Sequence, residues 1–341
     1  MRTPRRLERG QTIPLFALFL TVMLAGTAFV VDIGGAYGQG RTQQKVADVA
    51  ALAGATAESN GAAKSGIIAA AKASALANGY ADSEVTVNIP PTSGAYAPSG
   101  SLSGTLSTND CSTPALYPCW VEVVISRQHA NTFAAVVGQG SWNVSERGVA
   151  VGGIANAVTN GLSPIMFNYA AVTAPDSATD KSYCMPQNVH CPPNSTWPMS
   201  TAPVAQMQFA WTDFCIDHPE NCNVDSNGVK TLINGGGEQF QVWLGMYLGP
   251  NNTGGHDSVC KVLQDKYPTG ADLPVAISND NGQLVGFWIW HFDPSSTVTS
   301  CTADPNIGGS FVNDVTKTFP LTINPNGKAA TFGEYVVSLV E

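Results

Sequence analysis

Eight cysteines are the residues of this chain whose type and spacing most clearly imply chemistry. They fall as three close pairs, Cys111 with Cys119, Cys184 with Cys191 and Cys215 with Cys222, and one wider pair, Cys260 with Cys301. An even count with local clustering reads as four disulfides between sequence neighbours, formed in an oxidising compartment. Eight cysteines allow about 105 connectivities, so spacing favours this pairing without fixing it. On the chain-entropy view each short loop contributes roughly 2.5 kcal/mol and the long one roughly 4 kcal/mol. Zinc is the competing chemistry. No pair has the two-residue spacing of a zinc knuckle, and the nearby His190 and His218 are isolated. Disulfides therefore stand ahead of metal.

Other patterns imply less. Asn223, Asp225, Asn227 and Gly228 copy positions one, three, five and six of a calcium loop, but the twelfth position, which requires a bidentate Glu, is Asn234. A polar turn beside a disulfide is the plainer reading; a calcium site here would be weak, about 10⁻⁴ to 10⁻³ M. His129, His190, His218, His256 and His291 form no two-histidine helical zinc motif. No Gly-x-Ser-x-Gly elbow exists. The stretch INGGGEQF has the glycines of a phosphate loop but no following Lys. Asp213 and Asp217 read as a solvated pair. Asn143, Asn194 and Asn251 lie in glycosylation-type triplets that fit surface loops. These residues point to no catalytic constellation, no resident metal and no cofactor, and the expectation is a protein that is not an enzyme.

The elements that position these residues begin with an apolar run. From Gly10 to Val31 there is no charged residue. About 22 residues make roughly 33 Å of helix, enough to cross a hydrocarbon core of about 30 Å. A secretory signal has an apolar core of only about 7 to 15 residues. A cut at Gly26-Thr27-Ala28 would leave Phe29, Val30 and Val31 continuing the run, so a retained anchor is favoured over a cleaved signal. Gly10, Gln11 and Asp32 bracket it. Arg2, Arg5, Arg6 and Arg9 on its N-terminal flank place that end in the cytoplasm and everything after Asp32 outside, in agreement with the cysteines. Prepilin-type trimming after Gly10 would put Leu15 where filament subunits carry Glu, with Pro14 beside it, which argues against such processing.

Against Glu8 those four arginines give the first ten residues +3, so −12 of the total −9 lies in the rest of the chain. An acidic body of this kind repels nucleic acid and anionic surfaces. Only 12% of residues are charged, with 34 Gly and 22 Pro, a turn-rich composition typical of β-rich extracytoplasmic proteins. Gly34, Gly35, Gly38 and Gly40 are expected to loosen the helix just outside the membrane. A small-residue helix over 43–57 follows, with Val46, Val49, Ala50 and Ala53 on one face, ended at Ser59-Asn60-Gly61. A second Ala-rich helix spans about 64–78, capped by Gly79. VTVNI, WVEVVIS and WNVSERGVAVGG read as strands, 90–118 as a stapled loop and TFAAVVG as a short helix. The second half shows little helical periodicity. Its clearest element is the hairpin LPVAISNDNGQLVGFWIWHF, turning at Asn281-Gly282 with Trp288 and Trp290 on one face.

These residues carry a family likeness. Gly10-Gln11, the apolar span, Val31-Asp32, Gly34, Gln43-Gln44, Asp48 and Ala50-Ala51-Leu52-Ala53 resemble the TadG-like N-terminal segment of Flp/Tad pilus-assembly proteins. Val49 stands where the family pattern has Ala. The likeness is specific over roughly 50 residues, with looser similarity at TFAAVVGQGSWNVSERGVA and at the C-terminal hairpin. Full-length relatives often end in a von Willebrand A-type domain with an Asp-x-Ser-x-Ser metal motif. Asp293-Pro294-Ser295-Ser296-Thr297 imitates it, but too few residues follow for that fold. The resemblance implies a structural, assembly or anchoring component of a Tad-type pilus, single-pass in the cytoplasmic (inner) membrane, with Tad assembly proteins or pilins as partners and no nucleic acid. Gln43, Asp48, Ala51, Leu52 and Ala53 are its motif residues. The expected fold is α+β: a transmembrane helix, small helices and a β-rich, disulfide-stapled extracytoplasmic body, periplasmic or extracellular. The expected units are 1–57, a small α+β domain over 58–158 and a β-rich domain over 159–341. A membrane-anchored surface binding protein or adhesin is the alternative, motivated by the aromatic, Asn-rich second half.

Overall fold

A computed structural model describes residues 12–112, 118–169, 181–184, 209–212, 214, 225–246, 257–279, 283–296, 299–301, 306–312, 320–328, 330 and 333–341. Gly10 and Gln11, Cys191, Cys215 and Cys222, His190, His218 and His256, Asp213 and Asp217, Asn194 and Asn251, Asn223 and the Asn281-Gly282 turn lie outside the described residues.

The chain opens with helix α1, Thr12–Ser59. At 1.5 Å per residue its 48 residues reach about 72 Å. From Ile13 to Val31 its large apolar side chains are exposed. From Gly40 onward a stripe of mostly small residues is buried, through Ala47, Ala50, Ala51, Gly54 and Ala55 to Glu58. Half of this helix thus presents its apolar surface to its surroundings and half is part of a core. It is unbroken through Gly34, Gly35, Gly38 and Gly40, contrary to the expected loosening. Tertiary contact outweighs the helix cost of about 1 kcal/mol per glycine. A Cβ on Gly35 would lie 3.0 Å from the His129 ring, and one on Gly40 would lie 2.8 Å from Glu146 Oε1. Two of these glycines give clearance to a neighbouring hairpin.

The buried face also differs from the expected one. Val46 and Ala50 point inward, but Val49 is 51% exposed and Ala53 is half-buried. Ala47, Ala51 and Ala55 take the inner positions instead, because the surface they meet admits only small residues. That surface is a sheet in the order β1-β2-β3-β13, of β1 Val85–Asn88, β2 Cys119–Ala130, β3 Ser141–Ile154 and β13 Tyr335–Leu339. Every pairing in it is antiparallel. A Cβ on Gly148 would sit 2.7 Å from the Ala47 carbonyl carbon, and one on Gly152 would run into the Ala55 oxygen. Helix backbone and strand backbone therefore meet almost directly. Helix α2, Lys64–Ala77, packs beside α1 through Ile67, Ala71 and Ala75. Gly79 ends it at φ +85, with its N–H on the Leu76 carbonyl and that of Tyr80 on the Ala75 carbonyl.

The second core is built around a six-stranded sheet ordered β6-β11-β10-β9-β5-β7. Its strands are β5 Ile165–Asn168, β6 Lys181–Cys184, β7 Phe209–Trp211, β9 Ala271–Ser278, β10 Leu284–Phe292 and β11 Asn306–Val312. β5 runs parallel to β9; the other pairings are antiparallel. Alternate residues of β10 enter two clusters. Trp290 and Phe292 join Phe167, Phe209 and Trp211, whereas Phe287 and Ile289 join Met166 and Leu321. Two helices absent from the sequence expectation cover the first cluster: α3, Ser226–Gly235, and α4, Asp257–Lys266. Each is ten residues long with its apolar residues at helical spacing, Val229, Leu232 and Ile233 in the first and Val259, Val262 and Leu263 in the second, and the first is capped by Asp225 and Gly236. Short strands β4 Ala157–Val158, β8 Val242–Trp243 and β12 Leu321–Thr322 form a third sheet. The fold is α+β, with the long apolar helix followed by helices and sheets and with disulfides in the body.

Candidate functional site: the junction of the long helix and the β2–β3 hairpin

Helix α1 leaves its exposed apolar half at Asp32. That carboxylate is 3% exposed, and its partners lie a hundred residues away at the tip of the β2–β3 hairpin. Its Oδ1 accepts the Thr132 N–H at 2.9 Å, and its Oδ2 accepts those of Phe133 at 2.9 Å and Ala134 at 2.6 Å. These amides open a 3₁₀ turn over Ala134–Val137. Burial pushes the Asp32 carboxyl up, but the three backbone donors outweigh it and hold the group below the ordinary carboxylate range. The charge is thus kept, and the helix is tied to the hairpin at the point where the apolar run ends.

Polar contacts continue along the helix one turn after another. Gln39 donates its Nε2 to the Arg127 carbonyl at 3.2 Å, and its Oε1 lies 2.9 Å from His129 Nδ1. Gln43, fully buried, donates to the Val144 carbonyl at 3.3 Å. Gln44 donates to Asp48 Oδ1 at 2.6 Å and to the Arg147 carbonyl at 2.8 Å. Amide side chains suit this seam, because each reaches a strand carbonyl without burying a charge. Among the motif residues, Gln43 and Ala51 are buried, whereas Asp48, Leu52 and Ala53 are half-buried. The structure therefore brings Asp32, Gln43, Gln44 and Asp48 together along one seam. His129, Gln39 and Arg147 belong to it as well. No local pattern marks them beyond a Gln-rich stretch at helical spacing.

Two further ionic sites brace the same sheet. Glu122, buried on β2, accepts from Asn88 at 2.7 Å, from Thr92 N at 3.0 Å and Oγ1 at 2.8 Å, and from Ser93 Oγ at 3.0 Å. Burial raises its pKa but these donors outweigh it, so it stays low. Arg147 pairs with both Glu122 and Glu341, so Glu341 closes onto the hairpin. Arg127 donates to both Glu84 oxygens at 2.6 Å and stacks 4.1 Å over the Tyr80 ring. The guanidinium holds the Glu84 carboxyl down at about 2. Glu58 is the opposite case. It sits in the last turn of α1 with Oε2 unpartnered among the described residues, and burial lifts its pKa to about 8.

The remaining candidates are structural in their surroundings. Disulfides join Cys111 to Cys119 and Cys260 to Cys301, with Cα atoms 6.0 and 5.3 Å apart. Cys184 ends β6. Asp225 caps α3, its Oδ1 accepting from Asn227 N and Gly228 N. Asp293 makes the equivalent turn with Ser295 and Ser296. Asn143 lies on β3 and accepts from Ser126 Oγ through its Oδ1. His291 contacts Asp272 at 2.6 Å and stands opposite Ser310 in register, but no hydrogen bond joins hydroxyl and imidazole among the described residues. No group of three His, Cys, Asp or Glu is placed to hold a metal ion among the described residues. Trp211 and Trp290 are fully buried and form no surface platform.

Comparison with curated proteins and with solved structures gave no match. Residues 10–57 match a family model described as Putative Flp pilus-assembly TadE/G-like. The matched segment covers α1 from its first residue to two residues short of its end. The long helix, with its exposed apolar half and its glutamine seam, is thus the part of this chain that is similar to the TadE/G-like family of Flp pilus assembly.

Proposed function

We propose that this protein is a single-pass, bitopic component of a Tad/Flp-type pilus machine, with a structural, assembly or anchoring role and no catalytic one. The observation that carries the reading is the coincidence of the TadE/G-like match with a helix that is exposed and apolar in one half and locked to a folded body in the other. The exposed half is long and apolar enough to cross a membrane. In this reading the N-terminus is cytoplasmic, the span lies in the inner membrane, and the body is periplasmic or extracellular. The division into 1–57, 58–158 and 159–341 belongs to the same proposal, with β13 returning from the last unit to pair with β3. Because α1 continues into the body without a break, force or motion at the span is transmitted to the sheet. Partners are other Tad assembly proteins or pilins. Crosslinking and pull-down of the full chain from a cell that makes such pili is expected to recover pilus components, and loss of the chain is expected to impair pilus assembly. Normal pili in its absence together with no recovered pilus component would overturn the reading.

A further inference from the structure

The β2–β3 hairpin ends in a tip that is unusual for the surface of a soluble body. From Gln128 to Ser145 there is no Asp, Glu, Lys or Arg. Phe133 is 45% exposed and Val136 is 86% exposed. Asp32 holds this tip against α1 at the end of the apolar run. Residues 21, 25, 28 and 32 lie on one helical stripe, so the tip lies along the face that carries Ala25 and Ala28 into the span. Between the two lies an open apolar groove of about 740 Å³, with Leu24, Ala25, Ala28 and Phe29 on the helix side and Phe133 and Val136 on the hairpin side. Gly26 adds open space to it. Phe29 meets Trp142 edge-on, with ring centroids 5.9 Å apart.

Irregular backbone is tolerated at membrane depth only where its polar groups are satisfied. Seven backbone N–H groups of this tip are satisfied within the protein, while Asn131 Oδ1 has no partner among the described residues. The N–H groups of Thr132, Phe133 and Ala134 go to Asp32. Those of Asn131, Val136, Gly138 and Gln139 go to carbonyls within the tip. The Asn131 side chain donates to the Gln139 carbonyl. Trp142 and His129 sit at the base, where amphipathic rings favour the headgroup level. Exposed apolar patches of this kind mark a contact surface, and this one is continuous with the bare apolar face of α1.

We propose that the β2–β3 tip is a second membrane contact, inserted beside α1 into the leaflet on the body's side, and that lipid acyl chains fill the groove between them. The proposal rests on the reading that α1 crosses a bilayer. It makes the body a two-point attachment, fixed in rotation and tilt about the span, rather than a domain on a single tether.

The test uses the full, oxidised chain in nanodiscs, carrying an environment-sensitive fluorophore at V136C, at L20C within the span, or at L102C on the body. The unsubstituted chain, labelled in parallel, gives the background. Lipids with a nitroxide on the acyl chain are expected to remove at least half of the emission at positions 136 and 20 and little at 102, with aqueous iodide giving the reverse order. Iodide quenching at 136 equal to that at 102, with 20 still quenched by lipid, overturns the insertion and leaves the span intact. Position 20 open to iodide overturns the span reading itself. Shielding of 136 from both quenchers means that a protein surface covers the tip, and it also overturns the proposal.

Discussion

Asp32 shows what one side chain does when its position is set by two distant parts of the chain. Read along the sequence, it marks only the end of an apolar run. In the fold it is a buried anion that satisfies three amides of a hairpin tip. D32A leaves those amides without their acceptor and is expected to destabilise the junction by about 1–3 kcal/mol. Hydrogen exchange at Thr132, Phe133 and Ala134 is the readout, and rates unchanged from the parent would contradict the assignment. The Asp32 carboxyl titrates below its ordinary value, so its contribution is present above the unfolded pKa. It is lost only as pH falls through the lower, folded value. Glu58 runs the other way. Its folded pKa is about 8 against an ordinary 4.5, so the folded state holds a proton that the unfolded chain releases. Stability therefore falls as pH rises from about 4.5 to about 8. E58Q is expected to be neutral at pH 4 and to stabilise by about 2–4 kcal/mol at pH 9. A pH-independent effect in thermal melts would show that Glu58 is paired or solvated.

At the scale of elements, the fold depends on the close approach of α1 to β3. A small-residue helix face is legible in the sequence, but which small residues face inward is not. The answer is set by Gly148 and Gly152 on a strand about a hundred residues away. Glycines near residue 35 read as helix breakers by propensity alone. Gly35 and Gly40 are clearances for a hairpin whose position carries no local signal. G152V drives a side chain into the Ala55 carbonyl and is expected to cost about 1–3 kcal/mol or more through overpacking. G34A meets nothing within 4 Å and is expected to stabilise the helix by about 0.8–1.0 kcal/mol. Chemical denaturation of both variants in detergent checks the pair; equal effects would mean that α1 does not rest on β3 as described. Helices α3 and α4 were missed for a related reason. Each carries apolar residues at helical spacing, and the first has Asp225 and Gly236 as caps, but a stretch of ten residues among Gly, Asn and Pro is held helical only by its burial on the sheet.

Across the whole molecule, the legible parts were those with local signatures: the apolar run, the β9–β10 hairpin, the Cys111–Cys119 and Cys260–Cys301 pairs and the glycine cap of α2. The pairing of β13 with β3, the parallel contact of β5 with β9 and the Arg147–Glu341 closure join residues far apart in sequence. No local pattern encodes such contacts. Cys260 and Cys301 tie α4 to the region beyond β10 across a separation of 41 residues. Replacing both by Ala is expected to lower stability by about 4 kcal/mol on the chain-entropy model, and denaturant titration of the oxidised chains checks it. The proposed role requires α1 to remain whole, apolar half and glutamine seam together, as one rod from membrane to body. The most direct test is the intact mass and N-terminal sequence of the protein recovered from membranes. The prediction is a chain that begins before Thr12 and keeps the entire run to Val31. A chain that begins near Phe29 would be a released body without its anchor, and would contradict the claim.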